Sequence, residues 1–266
     1  MTYGFIGAGN MGGALATAVC KKEGGNRVVI ARKNREKLAA QTFQLRCCHG
    51  SVEEVAKSAK FIFLGVKPQV MPVVLEEIAP ILKERTDRFV LVSMAAGLST
   101  ERIASMAGGD YPVIRLMPNT PVSVGAGMTL YCRNSLVDDQ ELETCLHALS
   151  LSGQLDDLPE HLFDVGTAVA GCGPAFVDLF LEALADGGVA CGLPRDKAMA
   201  YAVQMVMGSA QLAKESGAHP GVLKDAVCSP GGSTIQGVRA LEMGGFRGTI
   251  MDAVVRAYEK TQNLGK

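Results

Sequence analysis

Gly7-Ala8-Gly9-Asn10-Met11-Gly12 has the spacing GxGxxG, and it stands between a short apolar run, Tyr3-Gly4-Phe5-Ile6, and a helix-forming one, Gly12 to Lys22. In that setting the three glycines have separate duties. Gly7 permits a tight turn, Gly9 lets the backbone approach a pyrophosphate, and Gly12 lets the helix pack close to the sheet. Unpaired N–H groups of the first helical turn then point at the anion. A glycine turn alone is also an ordinary structural device; the strand before it and the helix after it make it a dinucleotide fingerprint. The chemistry implied is hydride transfer with a nicotinamide dinucleotide.

The type of dinucleotide is decided at the end of the second strand. An Asp or Glu there, about 20 residues on, would take the ribose 2′-OH of NAD. This chain has Val29-Ile30-Ala31-Arg32-Lys33, two cations and no carboxylate. They favour a 2′-phosphate, and so NADPH over NADH, although a basic surface turn competes as an explanation for Lys33. Two more loops end apolar strands, Gly65-Val66-Lys67-Pro68 and Ser93-Met94-Ala95-Ala96-Gly97. Their small residues leave room for a nicotinamide ribose. Lys67 is either a cofactor contact or a loop cation.

A second anion site is expected far downstream, in Val227-Cys228-Ser229-Pro230-Gly231-Gly232-Ser233-Thr234-Ile235. Pro-Gly-Gly breaks the chain and Ser-Thr opens a helix to about Met243. Unpaired N–H groups from Gly232 to Ile235 are sized for a carboxylate, with the Thr234 hydroxyl as an added donor. A Ser/Thr-capped helix after a turn is the plainer explanation. In Asp186-Gly187-Gly188, paired glycines inside a helical run predict a close backbone crossing.

The remaining composition narrows the class. A net charge of −1 leaves no electrostatic footprint for nucleic acid or a membrane surface. The eight cysteines show no CxxC and no His at ligand spacing. They read as reduced core residues, and neither a disulfide framework nor a metal site is expected. His49, His147, His161 and His219 are scattered and read as surface or structural. Strand-forming residues begin within a few residues of Met1, and no apolar run looks long enough to span a bilayer. A cytoplasmic protein is expected.

These residues need an α/β frame. Short apolar runs alternate with amphipathic segments as far as Leu158, the βαβ pattern of a parallel sheet. After Pro159 the alternation stops, and helical segments begin at Phe163, Pro174, Asp196, His219, Ser233 and Thr249. The division expected is 1–159 for the cofactor and 160–266 for an all-α domain. Phe176 to Leu181 and Tyr201 to Met207 carry more apolar surface than a small bundle buries, which predicts an obligate homodimer.

GAGNMG, FLGVKP, RLMPNTP, GCGPAF, ALADGGVACGLPR and KDAVCSPGGSTIQGVRALE follow in the order found in pyrroline-5-carboxylate reductases, which the chain resembles over nearly its whole length. The resemblance implies a Rossmann-type domain followed by an α-helical dimerisation domain, dimers that assemble to a decamer, and reduction of a cyclic imino acid to proline. It implies cofactor contacts from Ile6 to Met11, from Gly65 to Pro68, at Ala96 and at Asn119. It implies that Ser233 and Thr234 hold the substrate carboxylate, with the Thr234 hydroxyl near the ring nitrogen. Two positions depart from the family: Val52 replaces an Asn that contacts the adenosine half, and Cys172 replaces a Ser. The competing functions are reduction of another imine or a hydroxy acid, and a silent NADPH-binding dimer. The hydroxy-acid reductases use a helix-borne lysine, and no lysine between Gly171 and Met207 is convincingly placed.

Overall fold

The structure, a computed structural model, describes residues 2–264. Its sheet is built from β1 (Tyr3–Ile6), β2 (Val28–Ala31), β3 (Cys48–His49), β4 (Phe61–Leu64), β5 (Val90–Ser93), β6 (Val113–Met117), β7 (Gly127–Arg133) and β8 (Gly153–Asp157). Their order is β3-β2-β1-β4-β5-β6-β7-β8. Every neighbouring pair is parallel except β6 and β7, which pair antiparallel with Arg115 opposite Cys132. Between β1 and β4 the order reverses, and such a switch point opens a crevice at the carboxyl ends of the two strands.

β1, β2, β4 and β5 are buried along their whole length because both faces of the sheet are covered there, whereas the edge strands β3 and β8 are largely exposed. Side chains alternate between two cores: Tyr3, Phe5, Phe61 and Phe63 enter one, while Ile6, Ile62 and Leu64 enter the other. Phe5 stacks on Phe63 at 4.4 Å between centroids, and Tyr3 on Phe61 at 5.6 Å, so aromatic pairs lock β1 against β4. Burial of each such side chain stabilises the fold by about 1.5–3 kcal/mol.

Side chains cap several of the crossover helices. α1 (Asn10–Glu23) has Gly9 at its N-cap and no side-chain cap, whereas α2 (Arg35–Leu45) is capped by Asn34, whose Oδ1 accepts from the Lys37 N–H. α3 (Val52–Ser58) and α6 (Asp139–Leu149) have full capping boxes, from Ser51 with Glu54 and from Asp138 with Glu141. α4 (Met71–Glu84) and α5 (Thr100–Met106) complete the layers. The alternation of short apolar runs with amphipathic segments anticipates this βαβ frame. It misses β3, whose two residues are too short to show periodicity.

Two compact units result, Met1–Cys172 with Ala257–Lys266, and Gly173–Arg256. The change of texture at Pro159 marks the end of the sheet rather than of the first unit. α7 (Phe163–Gly166) and the π-helical turn Thr167–Gly171 stay with that unit, where Phe163 is fully buried against Leu130 and Cys132. The second unit contains α8 (Gly173–Ala190), α9 (Arg195–Ser216), α10 (Pro220–Ala226), α11 (Ser233–Met243) and most of α12 (Phe246–Thr261). The predicted close crossing exists at Gly188, where a Cβ would stand 3.3 Å from that of Ala198, but not at Gly187, which faces open space.

Two expectations need correction. Glu160–Ala190 is in fact long and apolar enough to cross a membrane, with 11 % of its most apolar window buried. Its acidic residues, Glu160, Asp164, Asp178, Glu182 and Asp186, are spread along the span and break the run visible by eye. Nor are all the cysteines core residues: Cys20, Cys132 and Cys145 are buried, whereas Cys48 and Cys191 are exposed. Edge position exposes Cys48, at the end of the sheet in β3.

Candidate active site

The turn after β1 is shaped by contact with the turn after β4. Gly7 has φ +89°, and a Cβ on it would lie 2.6 Å from Val66 Cγ1 and 2.9 Å from the Gly65 carbonyl carbon. Gly12 is packed against Gly7 in turn. By contrast, nothing lies within 4 Å of a Cβ placed on Gly9, the side from which a pyrophosphate would approach. Among the described residues no carbonyl accepts from the N–H groups of Asn10, Met11 or Gly12, whereas the Gly9 N–H is held by the Gly7 oxygen at 2.9 Å. The residues present therefore suit a dinucleotide diphosphate.

From this turn a cleft of about 900 Å³ runs past the ends of β2 and β3. Ile6, Gly7 and Val66 line it together with Arg32, Lys33 and Arg35, which make its wall cationic, and with His49. Arg32 Nη1 donates to Gln41 Oε1 at 3.1 Å, so a neutral partner aims the guanidinium without cancelling its charge. Of the two carboxylates on the wall, Glu54 is engaged by the Ser51 N–H at 2.7 Å, and Glu77 comes from α4. The Ser51 hydroxyl is likewise occupied, accepting from the Glu54 N–H. Val52 beside it presents only an apolar surface to the cleft.

Not every residue singled out in the sequence reaches this wall. Ala8 to Gly12 form the adjoining turn and Gly65 packs behind it. Lys67 and Pro68 open the 3₁₀ turn Pro68–Val70, and Ala96 lies in the loop between β5 and α5. Asn119 is buried with its amide committed: Nδ2 donates to the Ala170 carbonyl at 3.0 Å, and Oδ1 accepts from the Met128 N–H at 2.9 Å. It fastens the start of β7 to the π-helical turn. Arg35 and His49 were missed. Arg35 could have been found as a third cation three residues after Arg32, whereas His49 had no signal because β3 was not seen.

The second unit presents its own anion-binding geometry. Gly232 is the N-cap of α11 and no side chain caps the helix, so Ser233 and Thr234 are its first two residues. The capped-helix explanation therefore fails here. One detail of the prediction fails too: the Gly232 N–H is not free, since it donates to the Ser229 carbonyl at 3.0 Å in the turn that Gly231 closes at φ +72°. Among the described residues the N–H groups of Ser233, Thr234 and Ile235 have no acceptor, and both hydroxyl residues are exposed. Among the described residues, no group of three or more His, Cys, Asp or Glu could hold a metal ion.

A glycine turn at a parallel-sheet switch point, a cation-rimmed cleft and a following helical unit define an α/β nicotinamide-dinucleotide oxidoreductase. Comparison with known proteins agrees. Residues 2–97 match the family model described as NADP oxidoreductase coenzyme F420-dependent, and residues 160–264 match pyrroline-5-carboxylate reductase dimerisation. Pyrroline-5-carboxylate reductase of a Synechocystis strain is 42 % identical over 99 % of this chain and 98 % of its own; that of Escherichia coli is 39 % identical over the same shares. The crystal structure of the Plasmodium falciparum pyrroline carboxylate reductase with NADP bound superposes with a TM-score of 0.90 at 32 % identity, covering 100 % of this chain and 98 % of that one. The chain belongs to the pyrroline-5-carboxylate reductase family.

Proposed function

We propose that the protein reduces 1-pyrroline-5-carboxylate to L-proline, with NADPH preferred over NADH. What carries this reading is family membership over 99 % of the chain; the free N–H groups at the starts of α1 and α11 support it. The division of labour proposed is 1–159 for the cofactor and 160–266 for dimerisation and substrate.

When bound, the dihydronicotinamide supplies the hydride. The protein's share is positioning, which can supply much of the acceleration when the acceptor is an electrophilic protonated imine. Asn10, Met11 and Gly12 hold the diphosphate through backbone N–H groups, and Arg32 and Lys33 take the 2′-phosphate. Gly65 to Pro68, Ala96 and Asn119 shape the nicotinamide end. The N–H groups of Ser233 and Thr234 fix the substrate carboxylate, and the Thr234 hydroxyl hydrogen-bonds the ring nitrogen or relays its proton.

The second unit supports self-association. Leu179, Met207 and Met251 are more than 60 % exposed in one chain, as is Met243. A partner subunit is the natural cover for such a surface. We therefore propose an obligate homodimer, assembling further to a decamer, in the cytoplasm; light scattering on the purified protein measures the assembly directly.

The deciding assay follows cofactor oxidation by the purified protein with NADPH or NADH against a panel of cyclic imines and oxo acids. Turnover of 1-pyrroline-5-carboxylate is expected. Turnover of oxo acids alone, or none at all, would overturn the proposal.

A further inference from the structure

Gln41 projects from α2 and touches both α1 and the residue that follows β2. Its Oε1 accepts from Arg32 Nη1 at 3.1 Å, and a Cβ on Gly13 of α1 would stand only 2.6 Å from its Nε2. Chemistry forces this orientation of the amide. A guanidinium can only donate, so the oxygen turns to Arg32 and the nitrogen to the bare backbone of Gly13. Three elements thus meet in one short chain, Gly13–Gln41–Arg32. Arg32 and Gln41 are half-buried, whereas Lys33 and Arg35, the other cations of the cleft wall, are exposed.

We infer that Gln41 is a positioning residue that sets the preference for a 2′-phosphate, acting through Arg32. The inference rests on the proposal above that Arg32 takes that phosphate. Two properties of the side chain at position 41 carry it. Its length holds the guanidinium in one place, so less side-chain freedom is lost when the anion arrives. Its neutrality leaves the whole positive charge to the anion. Among the described residues neither Glu54 nor Glu77, the carboxylates of the wall, forms an ion pair with Arg32. A carboxylate at position 41 would pair with the guanidinium and repel the incoming phosphate.

Gly13 is the third part of the device. Having no side chain, it leaves room for the amide of Gln41. A methyl group there would meet the free end of a flexible side chain, which can swing aside at small cost to the fold. Swinging aside takes the amide away from Arg32. The same loss of phosphate affinity is therefore reached by two routes, one that changes charge and one that does not.

The test titrates the whole protein with adenosine 2′,5′-bisphosphate and with adenosine 5′-monophosphate, which differs only in lacking the 2′-phosphate. Gln41→Glu should weaken the bisphosphate about tenfold and leave the monophosphate within about twofold of wild type. In turnover the same variant should raise KM for NADPH about tenfold at unchanged kcat. Gly13→Ala keeps every charge and should weaken the bisphosphate about threefold, which guards the result against a misfolded Gln41→Glu. Equal weakening of both nucleotides would mean that Gln41 only supports the fold, and overturns the inference.

Arg32→Ala separates the role of Gln41 from that of Arg32. In an Arg32→Ala background Gly13→Ala should cost nothing further, because its effect runs through the guanidinium. A further loss of the same size there overturns the route through Arg32. Undiminished affinity for the bisphosphate in Arg32→Ala itself overturns the proposal that Arg32 takes the 2′-phosphate. Loss in Arg32→Ala with none in Gln41→Glu overturns the role of Gln41 alone. The titrations need no turnover, so a failure of the proposed activity is read separately.

Discussion

A Cβ on Gly12 would stand 2.5 Å from the carbonyl oxygen of Gly7. That oxygen belongs to the turn leaving β1, and Gly12 belongs to the first turn of α1. The closeness of the two fixes how near the helix N-terminus comes to the carboxyl end of the sheet.

Gly12→Ala is therefore expected to push α1 away from the turn. The obstacle is backbone, which cannot rotate aside as a side chain can. Such overpacking costs about 1–3 kcal/mol of stability. Because the same turn holds the diphosphate, cofactor affinity should fall on the order of tenfold, a loss of about 1.4 kcal/mol. Thermal unfolding and a fluorescence titration with NADPH measure the two effects. Wild-type affinity in the variant would show that the helix N-terminus is not the diphosphate site.

Arg32 and Lys33 should separate the two cofactors. A hydrogen bond to a charged group is worth about 1.5–3 kcal/mol. Replacing both residues by Ala is thus expected to raise KM for NADPH by at least about tenfold, with little change for NADH. Kinetics with each cofactor decide it. An equal loss for both would mean that the cations shape the cleft without reading the 2′-phosphate.

What the sequence makes legible and what it hides has a physical basis. Gly7, Gly9 and Gly12 were legible because the constraint on each is local: a positive φ, an open approach and a backbone contact one helical turn away. Arg32 was legible because it ends a strand. His49 reaches the cleft only through the pairing of Ile30 with it across β2 and β3, a long-range fact that periodicity does not carry. Asn119 shows the opposite limit. Its motif was visible, but the engagement of both amide atoms, by Ala170 and Met128, depends on a π-helical turn that no residue type announces.

The Arg88–Glu141 pair gives a pH dependence with a definite sign. Arg88 grips the nearly buried Glu141 through two bonds of 2.9 Å, and these hold the carboxyl below its ordinary range against the opposing effect of burial. A carboxylate whose pKa is depressed on folding adds stability above its unfolded value of about 4.3, and that stability is lost as pH falls through the folded value. Arg88 is half exposed, so solvent screening keeps the pair to about 1 kcal/mol. Glu141→Gln should be less stable than wild type by that amount at neutral pH, and the difference should shrink as the solution is acidified below about pH 4. Chemical denaturation across that range measures it, and a difference independent of pH would locate the effect in helix capping instead.

Thr234 carries the sharpest mechanistic expectation. Its N–H and those of Ser233 and Ile235 remain in place when the side chain is shortened, so Thr234→Ala should keep the anion site and lose only the hydroxyl. If that hydroxyl hydrogen-bonds the ring nitrogen, kcat/KM for the imine should drop about tenfold to a hundredfold, while KM for NADPH stays near wild type. Thr234→Ser should restore most of the loss, since a hydroxyl at the second position of α11 is what the chemistry uses. Thr234 is exposed and makes no cap, so neither substitution should alter the unfolding temperature appreciably. Steady-state kinetics of the two variants beside their melting curves separate chemistry from folding. An unchanged kcat/KM in Thr234→Ala would remove the hydroxyl from the mechanism and leave the helix N-terminus as the whole of the substrate site.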